Sequence, residues 1–279
     1  MSPMNNRLLV PRKTPGLLDL VPGAAAAYSL RSLSNSYADP VVTVRRSSDD
    51  AEADFTAAEV ADGTLAAFAG AGDAFVKQWW DQSGNARHAV AAADANEPQI
   101  VDSGVVVTEE GKPALQFDGS DDYLTPNAYL ASGQLQISLF AVVNVTGTSN
   151  ETVISEYTNA GARPFLLRQN NASDFLVIVE DSSTSVIVPV ISSDAGKQKQ
   201  LALIYSNGEV KYCENGAVLY QSATLTGTLA TSNDPFTIGT RSSLVEFAAA
   251  NVQEVVLYQF DLTEQREVVE GNIAWGWSV

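Results

Sequence analysis

Residues 199–221 read KQLALIYSNGEVKYCENGAVLYQ, three apolar runs parted by two Asn-Gly pairs, Asn207-Gly208 and Asn215-Gly216. A type I′ turn needs positive φ at both central residues, which Asn and Gly tolerate best, so Asn-Gly between strand-like runs marks a tight hairpin. Two in succession predict a three-stranded antiparallel meander. Leu201, Leu203 and Tyr205 alternate with Ala202 and Ile204, and Val210, Tyr212, Val218 and Tyr220 extend the β-branched and aromatic content. Three strands with an apolar face cannot stand alone in water, so the rest of the chain must supply a second layer.

The flanking sequence has that character. From Gln136 onward, short runs recur at 136–145, 152–156, 164–169, 175–180, 186–190, 236–239 and 252–258, parted by Gly, Asn, Asp and Ser. This spacing predicts an all-β sandwich or jelly roll. Residues 263–277, TEQREVVEGNIAWGW, predict a terminal helix with Thr263 as its N-cap. Upstream, 41–46 and 75–80 read as strands, 24–33 as a short helix or strand, 47–54 as a polar loop or helix start, and 56–69 as one amphipathic helix.

The chain has 279 residues, 45% of them hydrophobic, enough for a large core. Its 33 acidic and 16 basic residues give a net charge of -17. Nucleic-acid binding needs clustered Lys and Arg, so this balance excludes it, and it also disfavours anionic membrane surfaces. One cysteine, Cys213, excludes an internal disulfide and reads as a small buried strand residue. No run is long and apolar enough to span a bilayer. Residues 1–23 lack the apolar core of a secretory signal, so the expectation is synthesis in a cytoplasm without export by such a signal. Residues 1–22, with Pro11, Pro15 and Pro22 and the apolar Leu8, Leu9, Leu17, Leu18 and Leu20, read as an extended anchoring arm that docks on its own domain or on a neighbouring subunit. The globular part is then expected to span 23–279.

Two resemblances sharpen this reading. The stretch Ala114-Leu-Gln-Phe-Asp-Gly-Ser-Asp-Asp-Tyr-Leu124, the run Ile137–Val143, the meander, and the closing Gln253–Tyr258 and Glu270–Trp277 resemble laminin-G-like, concanavalin A-like jelly rolls. Ala27-Tyr-Ser-Leu-Arg31, Val44-Arg-Arg-Ser-Ser-Asp49 and Trp79-Trp-Asp-Gln-Ser-Gly-Asn85 resemble the catalytic domain of the arabinofuranosidase B family. Such combinations also look like modules of tailed-bacteriophage virion proteins. The resemblance implies one jelly-roll β-sandwich with a short C-terminal helix, made of an arabinofuranosidase-like part (23–112) and a laminin-G-like part (113–279).

For function, the resemblance implies two catalytic carboxylates, a nucleophile and an acid/base about 5–5.5 Å apart in a retaining glycosidase. The stretch comparable to the family's nucleophile strand is Ile154-Ser-Glu-Tyr-Thr-Asn-Ala-Gly161, with Gly161 where Glu is expected. The loop comparable to the family's acid is Ile238-Gly-Thr-Arg-Ser-Ser243, without Asp. Glu156 and Glu246 are the remaining substitutes; otherwise both read as solvated loop charges. On this basis no catalytic residue and no enzymatic activity is expected. His88, the single histidine, reads as a cap of the turn after Asn85.

The expected role is a bacteriophage virion protein (capsid decoration, fibre or tail-associated) that displays a lectin-like jelly roll. It would be held to other virion proteins by the arm, homo-oligomeric, and able to bind a cell-surface glycan. A carbohydrate-binding module without a virion role and a retaining hydrolase are the alternatives. Trp79, Trp80, Asp81 and Asn85 are the candidate sugar contacts, and strand alternation places only one of the two tryptophans outside the core. Asp81 to Asn85 also reads as a structural brace. Asp118, Asp121 and Asp122 are either an acidic turn or Ca²⁺ ligands; no other cofactor is implied.

Overall fold

The structure is a computed structural model that describes residues 14–157, 163–171, 174–181, 183–191, 195–242 and 244–279. Both Asn-Gly turns form as their chemistry requires. Asn207 and Gly208 lie at φ 49° and 97°, and Asn215 and Gly216 at 48° and 79°, the paired positive φ of type I′. They join strands Lys199–Ser206, Glu209–Glu214 and Ala217–Ala223 with Ser206 opposite Glu209 and Glu214 opposite Ala217.

The meander is one end of a large antiparallel sheet. It continues through Gln136–Val145, Ala249–Tyr258, Leu115–Asp118, Gln99–Asp102, Ala74–Trp79 and Val42–Arg46 to the edge strand Glu52–Phe55. A second sheet of five strands runs Ser185–Ile191, Asp174–Glu180, Phe165–Asn171, Ser149–Glu156 and Thr237–Ile238. The core fills the space between them, with Tyr212 of the large sheet stacked on Phe175 of the small one at 6.3 Å between ring centroids. This is the expected all-β sandwich.

The strand Ala249–Tyr258 is the hub. One side pairs along Gln136–Val145. The other side takes two partners end to end: Leu115–Asp118 opposite residues 249–252, and Ala26–Ser29 opposite residues 254–257. The N-terminal third is therefore laced into the same sheet as the C-terminal two-thirds.

The far face of the large sheet is covered by the helix Arg266–Trp277, which buries Val269, Ile273 and Trp277 at four-residue spacing. Gln200 Nε2 donates to the Glu270 carbonyl at 3.0 Å, tying sheet to helix. Beneath this helix Glu254, fully buried on the hub strand, accepts from Ser29 Oγ at 2.8 Å, Arg31 Nε at 2.7 Å, Arg31 Nη2 at 2.9 Å and Trp277 Nε1 at 2.7 Å. A Cβ on Gly276 would meet the Arg31 guanidinium at 2.8 Å, so that glycine leaves the passage Arg31 needs.

Several boundaries differ from expectation. Residues 24–33 hold a strand, Ala26–Ser29, and the polar segment 47–54 gives the edge strand Glu52–Phe55, whose charged residues face water. The expected helix 56–69 is two, Ala57–Ala61 and Thr64–Ala69, because Gly63 at φ 95° breaks the run. The terminal helix begins at Arg266 after Gln265, not at Thr263: the Thr263 N–H is taken by Asp261 Oδ1 in a local turn.

Within the arm segment, Leu17 is fully buried in this chain's own core, Leu18 is packed against it, and Leu20 is exposed. Leu17–Leu20 form a short helix. Leu18 N–H donates to the Leu33 carbonyl, Asn272 Nδ2 to the Pro15 carbonyl, and Tyr258 OH to the Val21 carbonyl. Leu8 and Leu9 lie outside the described residues.

Glu254→Ala would leave the half-buried Arg31 guanidinium without its carboxylate, with only the Asn272 amide oxygen to accept from it. Such a loss costs about 3–5 kcal/mol in other proteins. Urea unfolding is expected to show a loss of this order, and a smaller one for Glu254→Gln.

Candidate functional site

The two tryptophans, at and just past the end of strand Ala74–Trp79, divide between core and surface as expected. Trp79 is fully buried, 5.9 Å from the Tyr28 ring. Trp80 turns outward and stays half-buried, its Nε1 donating to Thr43 Oγ1 at 2.9 Å and its ring 4.6 Å from the His88 imidazole. Trp80, His88, Tyr37 and Asp39 line an open cleft of about 270 Å³. Tyr37 is fixed by donating its hydroxyl to the Pro40 carbonyl, and burial pushes its phenol up to about 12, so it stays neutral. An aromatic wall beside a solvated carboxylate offers a surface for sugar C–H faces and an acceptor for hydroxyls.

The other two residues of that candidate set do not face the cleft as free ligands. The buried Asp81 carboxylate accepts from the N–H groups of Ala27, Ser83 and Arg87 and from Ser83 Oγ. Asn85 Nδ2 donates to the carbonyls of Ala24 and Ala25. His88 Nδ1 accepts the Asp81 N–H at 3.1 Å, so it braces the start of the turn and not, as expected, the stretch after Asn85. These groups hold the first strand against the turn, and that in turn positions Trp80.

A second concavity, of about 390 Å³, lies where strands 42–46, 74–79, 99–102 and 115–118 meet the loop 118–122. Arg45, Phe75, Glu97, Gln116, Asp118 and Asp122 are among its walls. Arg45 Nε donates to Glu97 at 2.8 Å and its guanidinium lies 5.5 Å from the Phe75 ring centre. Burial raises the Glu97 carboxyl above its ordinary range, against the pull of Arg45. Asp122 is buried and accepts the Asp118 N–H at 2.9 Å. Burial, with neighbouring carboxylates adding, pushes Asp122 up to about 7. One oxygen each from Asp118, Asp121 and Asp122 lie within 4.8 Å of one another. This set can share a proton or hold an oxygen-seeking cation.

The two substitute catalytic carboxylates are both engaged. Glu156 is fully buried, not a solvated loop charge, and accepts the backbone N–H groups of Leu130, Ala131 and Ser132 at 2.7, 2.9 and 2.7 Å. Glu246 accepts from Thr152 Oγ1 at 3.2 Å and pairs with Arg168 at 3.0 Å and Arg241 at 3.3 Å. Asn159, Ala160, Gly161 and Ser243 lie outside the described residues.

The comparisons with known proteins agree with this frame. The family described as the concanavalin A-like lectin/glucanases superfamily matches residues 117–266, more than half of the chain. No curated protein matches the sequence. Among solved structures, an arabinofuranosidase complexed with arabinofuranosyl-alpha-1,2-xylobiose is similar at 15% identity and TM-score 0.66, over 91% of this chain and 63% of that one. A GH54 α-L-arabinofuranosidase soaked with a cyclic sulfate inhibitor is similar at 16% identity and TM-score 0.65, with the same coverage. A mutant of Trypanosoma rangeli sialidase displaying trans-sialidase activity is similar at 17% identity and TM-score 0.52, over 72% of this chain and 31% of that one. This chain thus spans less than two thirds of the arabinofuranosidases' length. The expectation that the chain is no enzyme is corrected here: its frame is shared, over 91% of its length, with arabinofuranosidases. The missing carboxylates of a local alignment are not grounds to set glycoside hydrolysis aside.

Because Asp122 takes up its proton more readily when folded than when unfolded, stability falls as pH rises from about 4 to about 7. Urea unfolding at pH 5 and pH 8 is expected to show this loss in the native chain, and a flatter profile in Asp122→Asn.

Proposed function

The chain belongs to the concanavalin A-like lectin/glucanases superfamily, and from that premise we propose that it recognises carbohydrate, with the Trp80 cleft as a sugar platform. The observation that carries this reading is the outward, braced Trp80 ring beside His88, Tyr37 and Asp39. Asp81, Gln82 and Asn85 are committed to backbone groups, which fixes the platform before any ligand arrives. We further propose that the module is displayed on a tailed-phage particle through its N-terminal residues, as a homo-oligomer and toward a cell-surface glycan. The net charge of -17 and the phage-like sequence pattern support this reading.

A second reading, glycosidic bond hydrolysis, is favoured by the acidic concavity. Asp122 holds a proton near neutrality, and an Asp118 carboxylate oxygen lies within 4.8 Å of it. In that reading Asp122 protonates the leaving oxygen while Asp118 acts as nucleophile, and Asp122 then takes the proton of the water that releases the sugar.

A glycan array followed by calorimetry tests the first reading: binding is expected, and Trp80→Ala is expected to weaken it about tenfold, or about 1.4 kcal/mol. No binding to any glycan would contradict it. Turnover of aryl glycosides, lost in Asp122→Asn with binding retained, would establish the second; no turnover across furanosides and pyranosides would remove it.

A further inference from the structure

The polar groups around the Trp80 cleft differ in how much of their bonding capacity is left. Gln82 spends its amide on the Leu33 N–H and on the carbonyls of Ser29 and Arg31. The Asp81 carboxylate is filled by its own turn and by Ala27, and Tyr37 gives its hydroxyl hydrogen to Pro40. Trp80 Nε1 donates to Thr43 Oγ1, which in turn donates to Asp54 Oδ1 at 2.6 Å, so the acceptor that holds the indole is itself held. Two side chains on the walls remain open. The exposed Asp39 carboxylate has no hydrogen bond or ion pair among the described residues. His88 is committed through Nδ1 alone.

That single bond decides which nitrogen of the imidazole carries the hydrogen. The Asp81 backbone N–H can only donate, so the Nδ1 it reaches at 3.1 Å must offer a lone pair. A neutral imidazole has one donor and one acceptor nitrogen, and with Nδ1 accepting, the hydrogen sits on Nε2. Nε2 lies across the ring from Nδ1, has no partner among the described residues and is not buried. Trp80 holds the ring from the side, 4.6 Å between centroids at 55°. The cleft therefore presents one fixed N–H donor, one free carboxylate acceptor and one aromatic face. A ligand that uses all three needs a C–H face, an oxygen that accepts and a hydroxyl that donates. Sugar hydroxyls do both, so a neutral ring meets these demands without charge. A carboxylate or sulfate would satisfy His88 but would face Asp39 on a chain whose net charge is -17.

We propose that His88, held as the Nε2–H tautomer, is the donor through which the cleft takes neutral sugars, and that Asp39 is the acceptor that turns acidic ones away. The proposal rests on the carbohydrate reading above and deepens it, naming the ligand class of the Trp80 cleft and the two residues that discriminate.

Because His88 is the single histidine, a long-range proton–nitrogen correlation spectrum of the ¹⁵N-labelled intact chain at pH 8 reports on it alone. A bare Nδ1 and a protonated Nε2 are expected; the reverse, or an average of both tautomers, would overturn the proposal. Calorimetry with a neutral glucose oligosaccharide and its glucuronate-containing and sulfated counterparts gives the second arm. The neutral form is expected to bind about tenfold more tightly than either acidic one, as like charges face each other only in the latter. His88→Asn keeps an acceptor where Nδ1 stood but has no donor that reaches the place of Nε2. It is expected to unfold at the native urea concentration and to bind the neutral sugar about fivefold more weakly, the worth of one neutral hydrogen bond. His88→Gln, whose amide reaches further, should keep part of that affinity, and Asp39→Asn should narrow the gap between neutral and acidic sugars. Equal affinity for neutral and acidic sugars, or native affinity in His88→Asn, would overturn the proposal. The native chain's tautomer and selectivity decide the matter even if a variant fails to fold. Sugar binding that depends on Trp80 but not on His88 would sink this inference alone; binding of no sugar at all would sink the carbohydrate reading with it.

Discussion

The buried carboxylate of Glu254 ties together parts of the chain that lie far apart in sequence. It sits on the hub strand and takes hydrogen bonds from Ser29 and Arg31 near the start of the chain and from Trp277 near its end. A charge in the interior is stable only when every lone pair is answered, so first strand, hub strand and terminal helix must assemble together. Arg31 also reaches Asn272 of the helix, at 3.0 Å, which extends the same bond set. The first strand in turn carries the backbone groups that Asp81, Gln82 and Asn85 hold. The outward pose of Trp80 thus depends, through this chain of contacts, on a buried ion pair on the far side of the sheet.

Local chemistry that decides itself was legible in the sequence. The Asn-Gly turns, the run Gln136–Val145 and the alternation at Trp79-Trp80 each follow from a few adjacent residues, and the structure places them as read. Legibility failed where a distant partner decides. The strand Glu52–Phe55 reads as a polar loop because it is an edge with charged residues outward, among them Glu52, which pairs with Lys77. The strands Lys199–Ser206 and Gln136–Val145 are buried on both faces, since the terminal helix covers the side that alternation alone would leave wet. Leu17 shows the same effect: in sequence it belongs to a Pro-rich arm, yet its burial depends on a groove made by distant segments.

The candidate sites divide along the same line. Asp118, Asp121 and Asp122 are neighbours in sequence and neighbours in space, so their grouping was visible. Its setting was not, because Arg45, Phe75 and Glu97 come from three other segments. Glu156 read as a loop charge because nothing local announces the three N–H groups that receive it. The expectation of an inert scaffold came from matching two short stretches for their acids, whereas the concavities are built by the whole frame.

The central claim is that a sandwich locked by buried polar contacts presents a fixed carbohydrate-binding surface. Amide and indole chemical-shift mapping of the isotope-labelled chain, titrated with neutral and acidic oligosaccharides, tests it most directly. Shifts are expected to be confined to the surroundings of Trp80, His88 and Asp39, with the hub strand unmoved. Absence of saturable shifts with either sugar, or shifts confined to the edge strand Ala217–Ala223, would contradict it.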